Sequence, residues 1–163
     1  VNDFSFSLKP LIPADAKWVG AFIRERWGAD IVVGHGVSYL PATLPGFAAI
    51  SDDVPVGLVT YMIADRQCEI VTIDSVVSGQ GVGTALIRAV KTAAELQGCH
   101  RLWLITTNDS LAALRFYQKR GFRMVAIHRD AVTRAREIKP EIPYIGNDDI
   151  PLMDEIELEL SLA

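Results

Sequence analysis

A chain of 163 residues, half of them hydrophobic and with a formal net charge of −4, can bury a proper core and is expected to form one domain over residues 1–163. The hydrophobic content excludes a disordered chain, and the acidic balance argues against broad nucleic-acid binding, leaving at most a local basic pair such as Lys119-Arg120. Two cysteines, Cys68 and Cys99, are too few for a disulfide framework or for a zinc site without distant histidines; no apolar run approaches membrane-spanning length and no basic-then-apolar leader pattern opens the chain, so a cytoplasmic enzyme with no metal is the default expectation.

Residues 4–9 alternate apolar and polar, as a half-buried strand does. Pro13 then opens a helix with Trp18, Val19, Phe22 and Ile23 on one face, and Gly28 ends it. Residues 29–46 are glycine- and proline-punctuated, with an extended stretch around Val32–Val37, and read as a substrate-side loop region. Phe47–Ile50 and Val56–Ile63 are predicted strands joined by a turn at Ser51-Asp52-Asp53. A further turn at Ala64–Gln67 leads into a strand over residues 68–74.

Gln80-Gly81-Val82-Gly83-Thr84 then joins that strand to a helix of residues 81–97, in which Val82, Ala85, Leu86, Ala89, Val90, Ala93 and Leu96 recur at helical spacing before Gly98. A strand that turns through glycines into a helix aims free backbone N–H groups and the positive end of the helix dipole at one spot, which suits phosphate. The loop is not a Walker A motif, because no Gly-Lys-Ser/Thr ends it. It is not the dinucleotide fingerprint either: Leu86 stands three residues after Gly83, and no carboxylate lies about 20 residues on to hold a ribose.

Leu102–Thr107 reads as a short strand buried on both faces. Asn108 or Asp109 is expected to cap the next helix, which Gly121 closes, and Phe122–His128 is strand-like. Residues 131–151 look like an ordered connection. At the end Ile156, Leu158, Leu160 and Leu162 alternate with Glu155, Glu157 and Glu159, a strand with one solvent-facing side. The order β-α-β-β-β-α-β-α-β-β predicts a mixed sheet with helices on both faces.

Ser78-Gly79-Gln80-Gly81-Val82-Gly83, followed about thirty residues later by Ser110-Leu111-Ala112-Ala113-Leu114-Arg115-Phe116-Tyr117-Gln118-Lys119-Arg120-Gly121-Phe122, resembles the paired motifs of the GNAT superfamily of acetyl-CoA-dependent N-acetyltransferases. The family's loop is Arg/Gln-x-x-Gly-x-Gly/Ala and its later helix Asn-x-x-Ala-x-x-(apolar)-Tyr-x-x-x-Gly-Phe. Ser78 and Ser110 stand where the family usually has Arg/Gln and Asn. The resemblance implies an α/β (α+β) fold with a mixed, mostly antiparallel central sheet. It implies transfer of an acetyl group to the primary amine of a small molecule or peptide, with coenzyme A as product. Pairing of two copies through a sheet edge or the C-terminal strand is also expected of the family.

By that resemblance, backbone groups of Ile73, Asp74 and Ser75 would pair with the pantetheine arm, and the N–H groups of Gln80, Gly81, Val82, Gly83 and Thr84 would hold the pyrophosphate. Ser110, with Asn108 helping, would take the role of the missing Asn. Tyr117 matches the usual general acid, and a phenol with an ordinary pKa near 10 is protonated at neutral pH. Glu69 is the candidate general base: it lies four residues before Ile73, on the same strand face if no bulge intervenes, whereas Asp74 points the other way unless a bulge redirects it. His35, between two glycines, could contact the incoming amine; His100 and His128 look structural. Arg134, Arg136 and Lys139 compete with Asp148, Asp149, Asp154 and Glu155 to set the charge of the acceptor side, and the sequence does not choose between them. The cysteines lack a nearby His and Asp/Asn pattern for covalent catalysis. The alternative is a GNAT-like domain that senses acyl-CoA without turnover.

Overall fold

The computed structural model describes residues 3–163. Seven strands form the main sheet: β1 (Ser7–Pro10), β4 (Gly46–Ser51), β5 (Val54–Ala64), β6 (Gln67–Ser75), β7 (Arg101–Thr107), β8 (Arg123–His128) and β9 (Glu155–Ser161). Their spatial order is β1-β4-β5-β6-β7-β9-β8. Every neighbouring pair is antiparallel except β6–β7. That parallel step needs a crossover, and α2 (Val82–Leu96) supplies it.

α2 and α3 (Leu111–Gln118) cover one face. Val82, Leu86, Val90 and Ala94 of α2 and Tyr117 of α3 join Val59, Ile70, Leu102, Leu104 and Leu158 in the larger core. On the opposite face α1 (Ala16–Trp27) packs Val19 and Ile23 on Leu58. Gly28 ends α1 at φ 80°, a left-handed position that a side chain would strain. The loop region of residues 29–46 holds a small hairpin, β2 (Val32–Gly34) with β3 (Val37–Tyr39), turned through His35 (φ 40°) and Gly36 (φ 79°). The connection of residues 131–151 carries the short helix α4 (Ala131–Ala135).

Several local expectations change. The first strand is shorter than residues 4–9 and lies exposed at the sheet edge. β7 buries Leu102 and Leu104, while Trp103 and Ile105 on its other face are only partly covered. The N-cap of α3 is Ser110, not Asn108 or Asp109. The largest difference is β9, which lies inside the sheet between β7 and β8. It therefore offers no edge to a second copy, and its glutamates do not form an open surface: Glu155 is buried and Glu157 pairs with Arg101 and His128.

The β5–β6 ladder contains a bulge. Tyr61 pairs with Ile70 and Thr60 with Thr72, so Val71 has no opposite number. One extra residue inverts the alternation beyond it. Glu69, Thr72 and Asp74, opposite Met62, Thr60 and Leu58, consequently share the α1 face, and Ile73 turns to the other face. The expectation that Glu69 and Ile73 share a face is corrected by this bulge, and Asp74 is the residue redirected.

Candidate active site

Beyond the bulge β6 loses its parallel neighbour. Pairing with β7 ends at Ile70–Leu104, although β6 continues to Ser75 and β7 to Thr107. The diverging strands leave the β7-side edge of residues 71–75, including Ile73, Asp74 and Ser75, without a strand to pair with, an edge of the kind an extended ligand can join, although the Ser75 N–H is already engaged by Asp74 Oδ1 at 2.8 Å. Asp74 is occupied by a fork to Arg26 at the end of α1: Nε and Nη2 each donate to its carboxylate at 2.9 Å, and Nη2 also reaches the Ser75 carbonyl. This ion pair anchors the open end of β6 to α1.

The strand then enters the glycine loop. Gly79 (φ 69°) and Gly81 (φ 81°) take left-handed conformations, and Gly81 is the N-cap of α2 without a capping side chain. The first N–H groups of α2, at Val82, Gly83 and Thr84, therefore lack side-chain acceptors and face a groove of about 310 Å³ that Gln80 also lines. Gly83 leaves room for the Phe116 ring, because a Cβ there would lie 2.9 Å from Phe116 Cζ and the ring would have to shift. Arg120 lines the same groove. Its Nε and Nη2 donate to Thr84 Oγ1 at 2.9 and 2.7 Å, and its guanidinium stacks 3.5 Å from the centre of the Phe116 ring. The sequence marks Arg120 only as half of a local basic pair with Lys119; its position one turn beyond Phe116 is the signal for its place at this groove.

Where β6 and β7 diverge, a cavity of about 260 Å³ opens toward the hairpin and α4. Ile70, Val71, Ile105, Thr106, Thr107 and Ser110 are among its lining residues. Ser110 Oγ lies 3.0 Å from Thr107 Oγ1. Asn108 lines neither groove nor cavity. Its amide donates to the Pro151 carbonyl and accepts from the N–H groups of Met153 and Asp154, pinning the approach to β9.

Glu69, 5% exposed, also lines the cavity and is the centre of a polar cluster. Tyr39 donates its hydroxyl to Glu69 Oε2 at 2.7 Å, and His35 Nε2 lies 2.9 Å from Oε1. The hydrogen bond to Glu69 raises the His35 pKa above the ordinary histidine value against the opposing effect of burial, with Glu155 and Glu157 adding to the rise. The His35 backbone N–H donates to Glu155 Oε2 at 2.9 Å, and the Trp103 ring stands 5.2 Å from the imidazole. Glu69 also borders a second opening of about 150 Å³ beside Met62, Asp65, Gln67 and Trp103. His35, a lone loop histidine in the sequence, is joined to Glu69 because the hairpin folds back over the sheet.

Tyr117 is 7% exposed, its ring edge-on to Phe116 and Phe122. Burial raises its pKa, with Asp74 adding to the effect, so the phenol stays protonated. The hydroxyl has no hydrogen-bond partner among the described residues, yet it is not sealed from solvent. Of the charges expected on the acceptor side, Glu155 and Lys139 line the cavity. Arg136 is bound to the carbonyls of Ile142, Pro143 and Leu152, Arg134 to that of Arg129, and Asp154 accepts from the Asp130 N–H. Asp148 and Asp149 lie outside the cavity. Cys68 and Cys99 are buried free thiols, and burial pushes Cys68 up to about 12.

The model of the acetyltransferase (GNAT) family matches residues 23–122. The chain is 40% identical over 149 residues to the uncharacterized protein YxbD of Bacillus subtilis (strain 168), covering 90% of this chain and 92% of that protein. Its fold is similar to that of the IAA acetyltransferase from Bacillus cereus ATCC 14579, with a TM-score of 0.72 and 21% identity over 97% of this chain and all (100%) of that one. It is also similar to a Bacillus subtilis acetyltransferase in complex with CoA, at a TM-score of 0.66 and 19% identity over 99% of this chain and 100% of that one.

Proposed function

The chain belongs to the GNAT acetyltransferase family, and on that premise we propose that it transfers the acetyl group of acetyl-CoA to a primary amine by direct attack. The observation that carries this reading is the conjunction at the β6–β7 divergence: an unpaired strand edge, a glycine loop at a helix N-terminus, and a buried carboxylate cluster facing the intervening cavity. These features fit the donor. An extended arm would pair with residues 73–75, and a pyrophosphate would accept from the N–H groups of residues 80–84, with Arg120 adding positive charge at the groove. When bound, acetyl-CoA supplies an activated thioester carbonyl.

Glu69 is the general base. It faces the cavity, takes the proton of the incoming ammonium, and can release it through the second opening. Tyr39 and His35 hold its two oxygens in place. Tyr117, protonated and without a protein partner, is the donor available to the departing sulfur. An acyl-cysteine route has no support, since burial keeps Cys68 as the thiol and the Cys99 pKa is also raised.

Calorimetric titration with acetyl-CoA, with ATP and NAD as controls, tests the donor assignment. A thiol-release assay against a panel of primary amines tests turnover. Selective binding followed by release supports the transferase. Binding without release across the panel would favour an acyl-CoA sensor, and absence of binding would refute the proposal.

A further inference from the structure

Glu155 is 3% exposed, lines the cavity, and is not needed by the chemistry assigned to Glu69. Its Oε2 accepts the His35 N–H at 2.9 Å. Its Oε1 has no partner among the described residues and is not sealed off. No Lys or Arg among the described residues forms an ion pair with it, and the His35 ring, whose pKa it helps to raise, is hydrogen-bonded to Glu69 instead, so this buried carboxylate faces the cavity with no direct cationic partner. Such a charge is costly unless something positive is brought to it.

Glu155 and Glu69 are held by the same residue, one by the His35 backbone and the other by its ring. Both carboxylates line the cavity and are bridged by His35. Val32 and Val33 from the hairpin, Val132 and Ala135 from α4, and Leu152 give the same cavity an apolar wall. The cation lining this cavity, Lys139, donates to the Ile31 carbonyl at 3.4 Å. Ile31 precedes the hairpin and His35 lies at its turn. A carboxylate on the acceptor would meet the like charge of Glu69 and Glu155 in this cavity, while Lys139 is already engaged by a backbone carbonyl.

We propose that the acceptor is a small primary monoamine with an apolar body and no carboxylate, bound as its ammonium ion by Glu155 before Glu69 removes the proton. This rests on the acetyltransferase reading and adds the substrate class. Charge selects the head of the molecule and the hairpin–α4 walls select its tail. Glu155 is a specificity residue, distinct from the base.

The test uses the full chain with hexylamine and 2-phenylethylamine, paired with their carboxylated counterparts 6-aminohexanoate and phenylalanine. The amines are expected to exceed the counterparts by about ten-fold or more in kcat/KM. Glu155→Gln keeps an acceptor for the His35 N–H but removes the charge. It should raise KM for hexylamine by about ten-fold or more, with kcat within a few fold and acetyl-CoA affinity unchanged. Direct calorimetric binding of hexylammonium, which needs no turnover, should weaken equally. Equal use of the paired probes, preference for 6-aminohexanoate, or unaltered hexylammonium binding in Glu155→Gln would each overturn the proposal. Loss of acetyl-CoA binding by the unsubstituted chain would instead strike the donor assignment, while hexylammonium binding would still decide the role of Glu155.

Discussion

Glu69→Gln separates the chemistry of the cluster from its architecture. The two side chains have the same shape, and Glu69 is 5% exposed with both oxygens engaged, by Tyr39 at 2.7 Å and His35 at 2.9 Å. An amide cannot take a proton from an ammonium ion at neutral pH, so the whole general-base contribution is removed, about 10²–10⁴-fold in kcat/KM, or roughly 3–5 kcal/mol of transition-state stabilisation. The structural cost is smaller. One of the two charge-assisted hydrogen bonds becomes neutral and the other meets an NH₂ group, a loss of about 2 kcal/mol that lowers Tm by about 4–8 °C in a chain of this size. Thiol release measured from about pH 6 to 9, with calorimetric Tm and acetyl-CoA affinity alongside, reads each term separately. Turnover should fall across the whole range while acetyl-CoA affinity holds. A variant that turns over within about three-fold of the parent, with the same pH profile, would refute the base assignment, because no positioned base contributes so little.

Tyr117→Phe removes a hydroxyl that has no protein partner, so stability should hardly change while turnover falls about 10²-fold with acetyl-CoA affinity intact; unchanged turnover rules out the proton-donor role. Gly83→Ala places a methyl 2.9 Å from Phe116 Cζ and should cost about 1–3 kcal/mol by overpacking. It should also weaken acetyl-CoA binding, and Phe116→Leu in the same chain should restore stability, as thermal melts would show. The raised pKa of His35 means that the folded state holds this proton more tightly than the unfolded chain does. The resulting stability is fully present below about pH 6.5 and is lost as pH rises through the higher folded value, so Tm should decline across that window and His35→Gln should remove the decline. A pH-independent difference between the two chains would show that the His35–Glu69 contact is not ionic.

The parts of this protein legible in its sequence are those set within a few residues of chain. Gly28 and Gly98 stop helices at left-handed positions, Gly81 opens α2, and the apolar spacing from Val82 to Ala94 marks the buried face of that helix. The glycine loop was readable for the same reason: a left-handed φ is a local steric demand that leaves its residue type behind. What the strands do with one another was not written in that way. The extra residue at Val71 brings Asp74 onto the face of Glu69, and no local pattern distinguishes a bulged strand from a regular one. Alternating glutamates in the last strand looked like a wet surface, but insertion between β7 and β8 buries Glu155 and pairs Glu157. His35 reaches Glu69 across 34 residues and Glu155 across 120 because the hairpin closes over the diverging strands. Backbone sterics and side-chain periodicity are local and could be read along the chain, whereas strand order, register and the company of buried charges depend on contacts that exist only once the chain has folded back on itself.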